Sequence, residues 1–326
     1  MWWMQRPILI ISAFVSLLAF IVSLSSLTPA HAQKAEPGLR LEARPIPGSP
    51  RSLPGPGIHA VKVSPSPANR AYSATFRGLF VSDDGGQSWA PLPVNRSHEE
   101  VFSVAVHPTD PGVVVAGRRD GLWETQDGGR SWTPLPYPTP GPYVPLAVAI
   151  SRSQPNVVYL ATARDGVYKS IDGGYRWASA SSGLPEARAG GRPTEIRTLV
   201  VHPVSPTIAY VATERHGVYR TTDGGASWHS FDDGLPSSLG GSMYPPRLAF
   251  DPDNPNQLYL VLGQRIHSHL VQNRLYVSSG GGRWLAMEAK LPDNTTIVGL
   301  TVDQASGALH FWAEDRVWEL PQPRKP

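Results

Sequence analysis

The string Ser82-Asp83-Asp84-Gly85-Gly86-Gln87-Ser88-Trp89 returns as TQDGGRSW at 125–132, SIDGGYRW at 170–177 and TTDGGASW at 221–228, and in decayed form as VSSGGGRW at 277–284. The closing tryptophans Trp89, Trp132, Trp177, Trp228 and Trp284 follow one another at 43, 45, 51 and 56 residues, the spacing of a four-stranded unit plus its loops. Between them lie β-branched and apolar runs punctuated by His-Pro, Ser-Pro, His-Gly and Asp-Gly-Gly, clearest in IRTLVVHPVSPTIAYVATERHGVYRTTDGGASWHSF at 196–231. That punctuation gives four strands, A to D, with the repeated string as the C–D turn. Strand A is expected at Ala60–Val63, Val101–Val106, Leu146–Ile150, Ile196–Val201, Arg247–Phe250 and Ile297–Val302, which makes six units.

The sixth unit supplies strands near Leu309–Ala313 and Val317–Leu320 and then stops without its box or outer strand. The alternating segment Leu39–Ile46, before the first unit, is the candidate for the missing strand D. Pairing it there closes the ring and removes an open sheet edge. The expected fold is therefore all-β, a six-bladed β-propeller with the N-terminal strand completing the last blade. Seven blades are the alternative, if a further unit lies in the N-terminal stretch.

The box residues have a structural rationale. Asp84, Asp127, Asp172 and Asp223 are placed to accept backbone N–H groups of their own turn, the paired glycines permit positive φ, and Trp89, Trp132, Trp177 and Trp228 are placed to pack into the core beside the turn. Composition agrees: Gly 31 and Pro 34 in 326 residues leave little room for long helices. These strings resemble the Asp-box of the bacterial neuraminidase repeat, shared by sialidases, sortilin-type receptors, two-propeller xyloglucanases and the photosystem II assembly factor family. The resemblance covers about residues 58–320. It implies a propeller in which the boxes are structural, and it leaves function open because the fold hosts many activities. In unit length and compactness the chain is most similar to the assembly-factor-like members.

Residues 1–32 read as a signal peptide or anchor: Arg6, an apolar run from Ile8 to Leu27, and Ala30-His31-Ala32 as a cleavage site before Gln33. Residues 33–57 are expected to hold a linker and the closing strand, 58–320 the propeller, and 321–326 a tail. The expected location is extracytoplasmic: periplasmic, cell-surface or secreted. With no cysteine the exported domain must rest on core burial, which a unit of this size supplies. Lys and Arg total 29 against 26 acidic residues, a net +3 without basic runs, and this argues against nucleic acid. A membrane association is expected only if the N-terminal segment stays uncleaved, and the molecule is expected to be a monomer.

A second periodicity points to a site. The turn between strands B and C carries an arginine in every unit: Arg77, Arg119, Arg164, Arg215, Arg265 and Arg316. In an up-and-down blade the B–C turns and D–A crossovers share one face, and the boxes lie on the other. Six guanidinium groups on one face suit a protein partner or an anionic ligand; ion pairs with Asp120, Asp165, Glu214 or Asp315 are the bland alternative. The reading is binding rather than catalysis, with no catalytic residue assigned. The alternative function is a sialidase-like glycoside hydrolase acting on acidic sugars, for which Tyr143, Tyr244, Glu99, Glu100, Glu186 and Glu195 occupy loops on the same face. His107 and His202 fall in different blades and His267 with His269 has no carboxylate company, so no metal and no cofactor are expected.

Overall fold

The computed structural model describes residues 41–45, 57–64, 70–138, 144–163, 165–187, 192–193, 195–213, 216–236, 246–267, 270–303, 307–313 and 316–321. The expected signal segment, residues 1–32, lies outside them. Six four-stranded antiparallel sheets follow one another along the chain, each in the order A-B-C-D. Their first strands, Ile58–Val63, Val101–Val106, Pro145–Ile150, Ile196–Val201, Arg247–Phe250 and Ile297–Val302, touch in cyclic order, the sixth against the first. This is a six-bladed propeller with the A strands around the axis.

The ring closes as the sequence predicts. Arg44–Pro45 pairs antiparallel with Val317–Leu320, in the register Arg44↔Glu319 and Pro45↔Trp318, and so forms the outer strand of the sixth blade. An unanticipated element precedes it: Leu41–Glu42 runs parallel to Ala289–Lys290, and the Lys290 ammonium donates to the Glu42 carboxylate at 2.7 Å. A short hairpin, Glu186–Ala187 with Arg192–Pro193, also decorates the crossover from blade 3 to blade 4.

Strand B is buried along its length in the first four blades, for instance Ala71–Thr75 and Ala209–Thr213, because each sheet is covered on both faces by its neighbours. That is why these strands read as continuous apolar runs. Each interface between adjacent blades holds its own apolar cluster; Tyr159, Ile196, Leu199 and Trp228 unite blades 3 and 4, and Tyr210, Leu248, Leu260 and Trp284 unite blades 4 and 5. The D strands are two or three residues long and largely exposed, so the outer edge offers little template for further pairing.

Each intact box behaves as its residue types predict. The Asp84 carboxylate accepts from the Ser88 backbone N–H at 2.9 Å, from the Ser88 hydroxyl at 2.6 Å and from the Ser82 hydroxyl at 2.8 Å, while Ser82 Oγ accepts from Gly86 N–H. Asp127 and Asp223 repeat the set. The tryptophans depart from expectation. Trp228 and Trp284 are buried, whereas Trp89, Trp132 and Trp177 are half-exposed. What the tryptophans secure is the neighbouring blade: Trp177, Trp228 and Trp284 donate their indole N–H groups to the carbonyls of Pro136, Ala180 and Phe231, each at the end of the preceding outer strand.

A regular irregularity sets up the site. In five blades the A–B register slips at the same place, between Ile58 and Ala60, Val101 and Ser103, Pro145 and Ala147, Ile196 and Thr198, and Ile297 and Gly299. Such bulges leave one residue unpaired and re-aim its side chain. The re-aimed residues are His59, Phe102, Leu146, Arg197 and Val298, all at the end of strand A that shares a face with the B–C turns.

Candidate functional site

At the B–C end of the axis the bulge residues gather a cluster. His59 Nε2 lies 2.9 Å from Glu100 Oε1, and its ring stands 4.6 Å from Phe76 and 5.1 Å from Phe102. Arg119 covers Phe102 from the rim, 5.8 Å from the ring centre, and approaches Glu100 at 3.8 Å. Phe76 is 56% exposed and Arg119 74% exposed, so an aromatic and a guanidinium face solvent over a buried support. Burial pushes the His59 imidazole below its ordinary value, with Arg197 and Arg247 pushing the same way against the opposing pull of Glu100.

The six arginines meet different fates. Arg77 stands exposed in the first B–C turn, its guanidinium making no ion pair with any described residue, and Arg119 joins the cluster just described. Arg316 is half-buried and lies over the Trp318 ring at 5.7 Å. Arg265 is not in a turn: it belongs to the long strand Gln257–His267 and pairs with Val271. No glycine interrupts that stretch beyond Gly263, so strands B and C of blade 5 extend where the other blades turn. Arg164 and Arg215 lie outside the described residues, as do Tyr143, Tyr244 and His269. Glu99 and Glu195 are engaged by Arg118 and Arg197. Arg118 itself is buried and also donates to the Val94 carbonyl, so it fastens the first crossover rather than facing a partner.

Three cations that the turn pattern does not contain lie deeper, on the innermost strands. Lys62, Arg197 and Arg247 line the axial bore. Their signal was in the sequence: each is a basic residue in a largely apolar strand A. Burial depresses the Lys62 ammonium, with repulsion from Arg247 adding to it, and burial with repulsion from Arg197 brings the Arg247 guanidinium down to about 10. Among the described residues no group of three or more His, Cys, Asp or Glu is arranged to hold a metal ion.

Comparison with known proteins follows this geometry. Residues 71–188 match the model of the photosynthesis system II assembly factor YCF48, and residues 165–292 that of sortilin, neurotensin receptor 3. Each match spans less than half of the chain, and no curated protein matches it. An ancestral GH74 enzyme superposes with a TM-score of 0.60 at 19% identity, covering 81% of this chain and 35% of its own. The GH74 xyloglucanase from Xanthomonas campestris gives 0.55 at 18% identity, with 86% and 53% covered. This chain thus spans between about a third and a half of those enzymes, and at such identities the likeness is one of fold. A structure of YCF48 bound to D1 peptide covers 90% of this chain and 98% of its own at 15% identity, but at a TM-score of 0.47 it carries no argument. The chain is a six-bladed β-propeller, similar over part of its length to the models of an assembly factor and of sortilin.

Proposed function

We propose that this chain is an assembly-factor-like propeller that binds a protein partner or an anionic ligand on the face opposite the boxes, and that it acts outside the cytoplasm after export through residues 1–32. The observation that carries the binding reading is the cluster of Phe76, His59, Phe102 and Arg119 at the B–C end of the axis. Aromatic and arginine side chains are the residue types most enriched among binding anchors. Here His59 and Phe102 sit on strand-A bulges of two neighbouring blades, so these two rings have little conformational freedom left to lose on docking. The match of residues 71–188 to an assembly-factor model supports the same reading.

The test is partner capture with the full chain and with Arg77→Glu combined with Arg119→Glu. Both side chains are exposed, so the double reversal should leave stability within about 0.5 kcal/mol per site. Capture should fall, and wild-type capture should weaken as salt rises, because exposed charges are screened beyond a Debye length of roughly 8 Å at physiological ionic strength. Undiminished capture by the double variant sinks this reading. Turnover of a fluorogenic sialoside or acidic glycoside would replace it with the hydrolase.

A further inference from the structure

At its box-side end the axial bore opens into a vestibule of about 480 Å³, walled by the ends of the inner strands and by the A–B turns. Lys62 lines both the vestibule and the narrower bore beneath it, where Arg197 and Arg247 join it. The lysine is an intruder by position. At the penultimate residue of strand A the other blades carry Ala105, Ala149, Val200, Ala249 and Thr301. Arg247 is another, standing where Ala60, Ser103, Ala147, Thr198 and Gly299 occupy the equivalent place.

Of these cations only Arg197 has a counter-ion, Glu195 at 2.9 Å. Neither the Lys62 ammonium nor the Arg247 guanidinium makes an ion pair with any described residue, and the buried Arg247 Nε has no hydrogen-bond partner among the described residues. Both side chains are half-buried and border open space, and burial depresses their proton affinities. Charges so placed are normally paired, because an uncompensated cation in a low-dielectric setting is costly.

We propose that the vestibule is a binding site for a small oxyanion, a carboxylate or phosphate group, whose charge rests on Lys62 and Arg247 while the rest of the ligand fills the vestibule. Dimensions agree with the division. The bore section holds about 50 Å³, enough for a head group but not a chain, and the vestibule falls in the range of roughly 300–1,000 Å³ typical of small-ligand pockets. Phe250 and Trp312 give the vestibule apolar walls, and exposed Arg152 stands at its rim. Asp303 also lines it, beside His310, whose imidazole burial pushes down. At the opposite end of the axis Glu100 and Glu195 stand beside His59 and Arg197, so an anion approaches the bore cations from the box side. The site is distinct from the B–C face and stands or falls apart from it.

The experiment is calorimetric titration and thermal melting of the purified full chain with two probes, inorganic phosphate and benzoate, in a phosphate-free, low-chloride buffer. Wild type should show a saturable rise in melting temperature with at least one probe, as a ligand specific for the folded state requires. Saturation by phosphate identifies a phosphoryl group as the preferred head, and saturation by benzoate alone identifies a carboxylate on an apolar body. Lys62→Met should weaken the saturable binding by at least about tenfold and should melt no lower than wild type without ligand. If that variant fails to fold, Arg152→Gln, an exposed change, should still weaken the binding measurably. Failure of both probes to saturate wild type overturns the proposal. So does equal stabilisation of wild type and Lys62→Met, or unchanged affinity in Arg152→Gln.

Discussion

Trp228 joins two blades: its ring is 2% exposed in the core between blades 3 and 4, and its indole N–H donates to Ala180 at 2.7 Å. Trp228→Ala should therefore destabilise by about 3–5 kcal/mol in urea denaturation. Trp132→Ala should cost clearly less, since Trp132 is half-buried and its indole nitrogen has no partner among the described residues. Equal losses would show that the box tryptophans act only within their own hairpins. The box carboxylates carry a pH signature. Hydrogen bonds from the Ser88 hydroxyl first, then from its backbone N–H and from Ser82, bring Asp84 from 3.8 down to about 2. Asp127 and Asp223 move the same way, led by Ser131 and Ser227. A carboxylate depressed in the folded state contributes stability that is fully present above its unfolded value and disappears as pH falls through the folded one. The Asp84 contribution should thus fade between pH 3.8 and about 2, and Asp84→Ala should show a shallower acid loss there than wild type. Identical acid profiles would contradict the assignment. The bonds of the box were legible in the sequence because they close within five residues. The Trp228 carbonyl partner lies 48 residues away on another blade, and nothing local announces it.

At the level of elements, the crossovers Ser182-Gly183-Leu184 and Asp233-Gly234-Leu235 bring the backbone of one blade against the box tryptophan of the next. The Trp284 N–H donates to the Asp233 carbonyl at 2.8 Å, and a Cβ on Gly234, whose φ is +90°, would overlap the Trp284 carbonyl. Gly234→Ala should accordingly lower the melting temperature well beyond the propensity effect of a loop alanine, by roughly 2 kcal/mol or more of stability. Gly280→Ala, where φ is +63° but the surrounding space is open, should cost less. Matching losses would mean that φ alone, not contact with the next blade, decides. Strand positions were readable because β-branched runs end at His-Pro and Asp-Gly-Gly; five of the six A strands begin within one residue of expectation or on it, and that of the first blade starts two residues early. The B–C turn of blade 5 does not fall at Arg265, because the strand Gln257–His267 continues through it. The bulges that aim His59 and Arg197 were invisible because they depend on register, which no single strand encodes.

At the scale of the molecule, closure rests on very short pairings, Arg44–Pro45 with the sixth blade and Leu41–Glu42 with Ala289–Lys290. Starting the chain at residue 47 should leave Val317–Leu320 as an open edge, lower the melting temperature and promote concentration-dependent association. A truncated chain that melts as wild type and stays monomeric would show that the ring holds without its clasp. Repeat architecture was legible from the periodic boxes, whereas the convergence of the axial cations was not, because only closure of the ring brings Lys62, Arg197 and Arg247 from three different blades to one bore. Labour is divided between the faces: boxes hold the ring, and the opposite face binds the protein partner. The direct measurement is quantitative partner capture by two folded variants, Arg77→Glu with Arg119→Glu on the B–C face and Arg130→Glu with Arg176→Glu on the box face. Loss of the captured partner in the first pair and its retention in the second is the predicted result. Retention in the first pair, or loss confined to the second, would contradict the account.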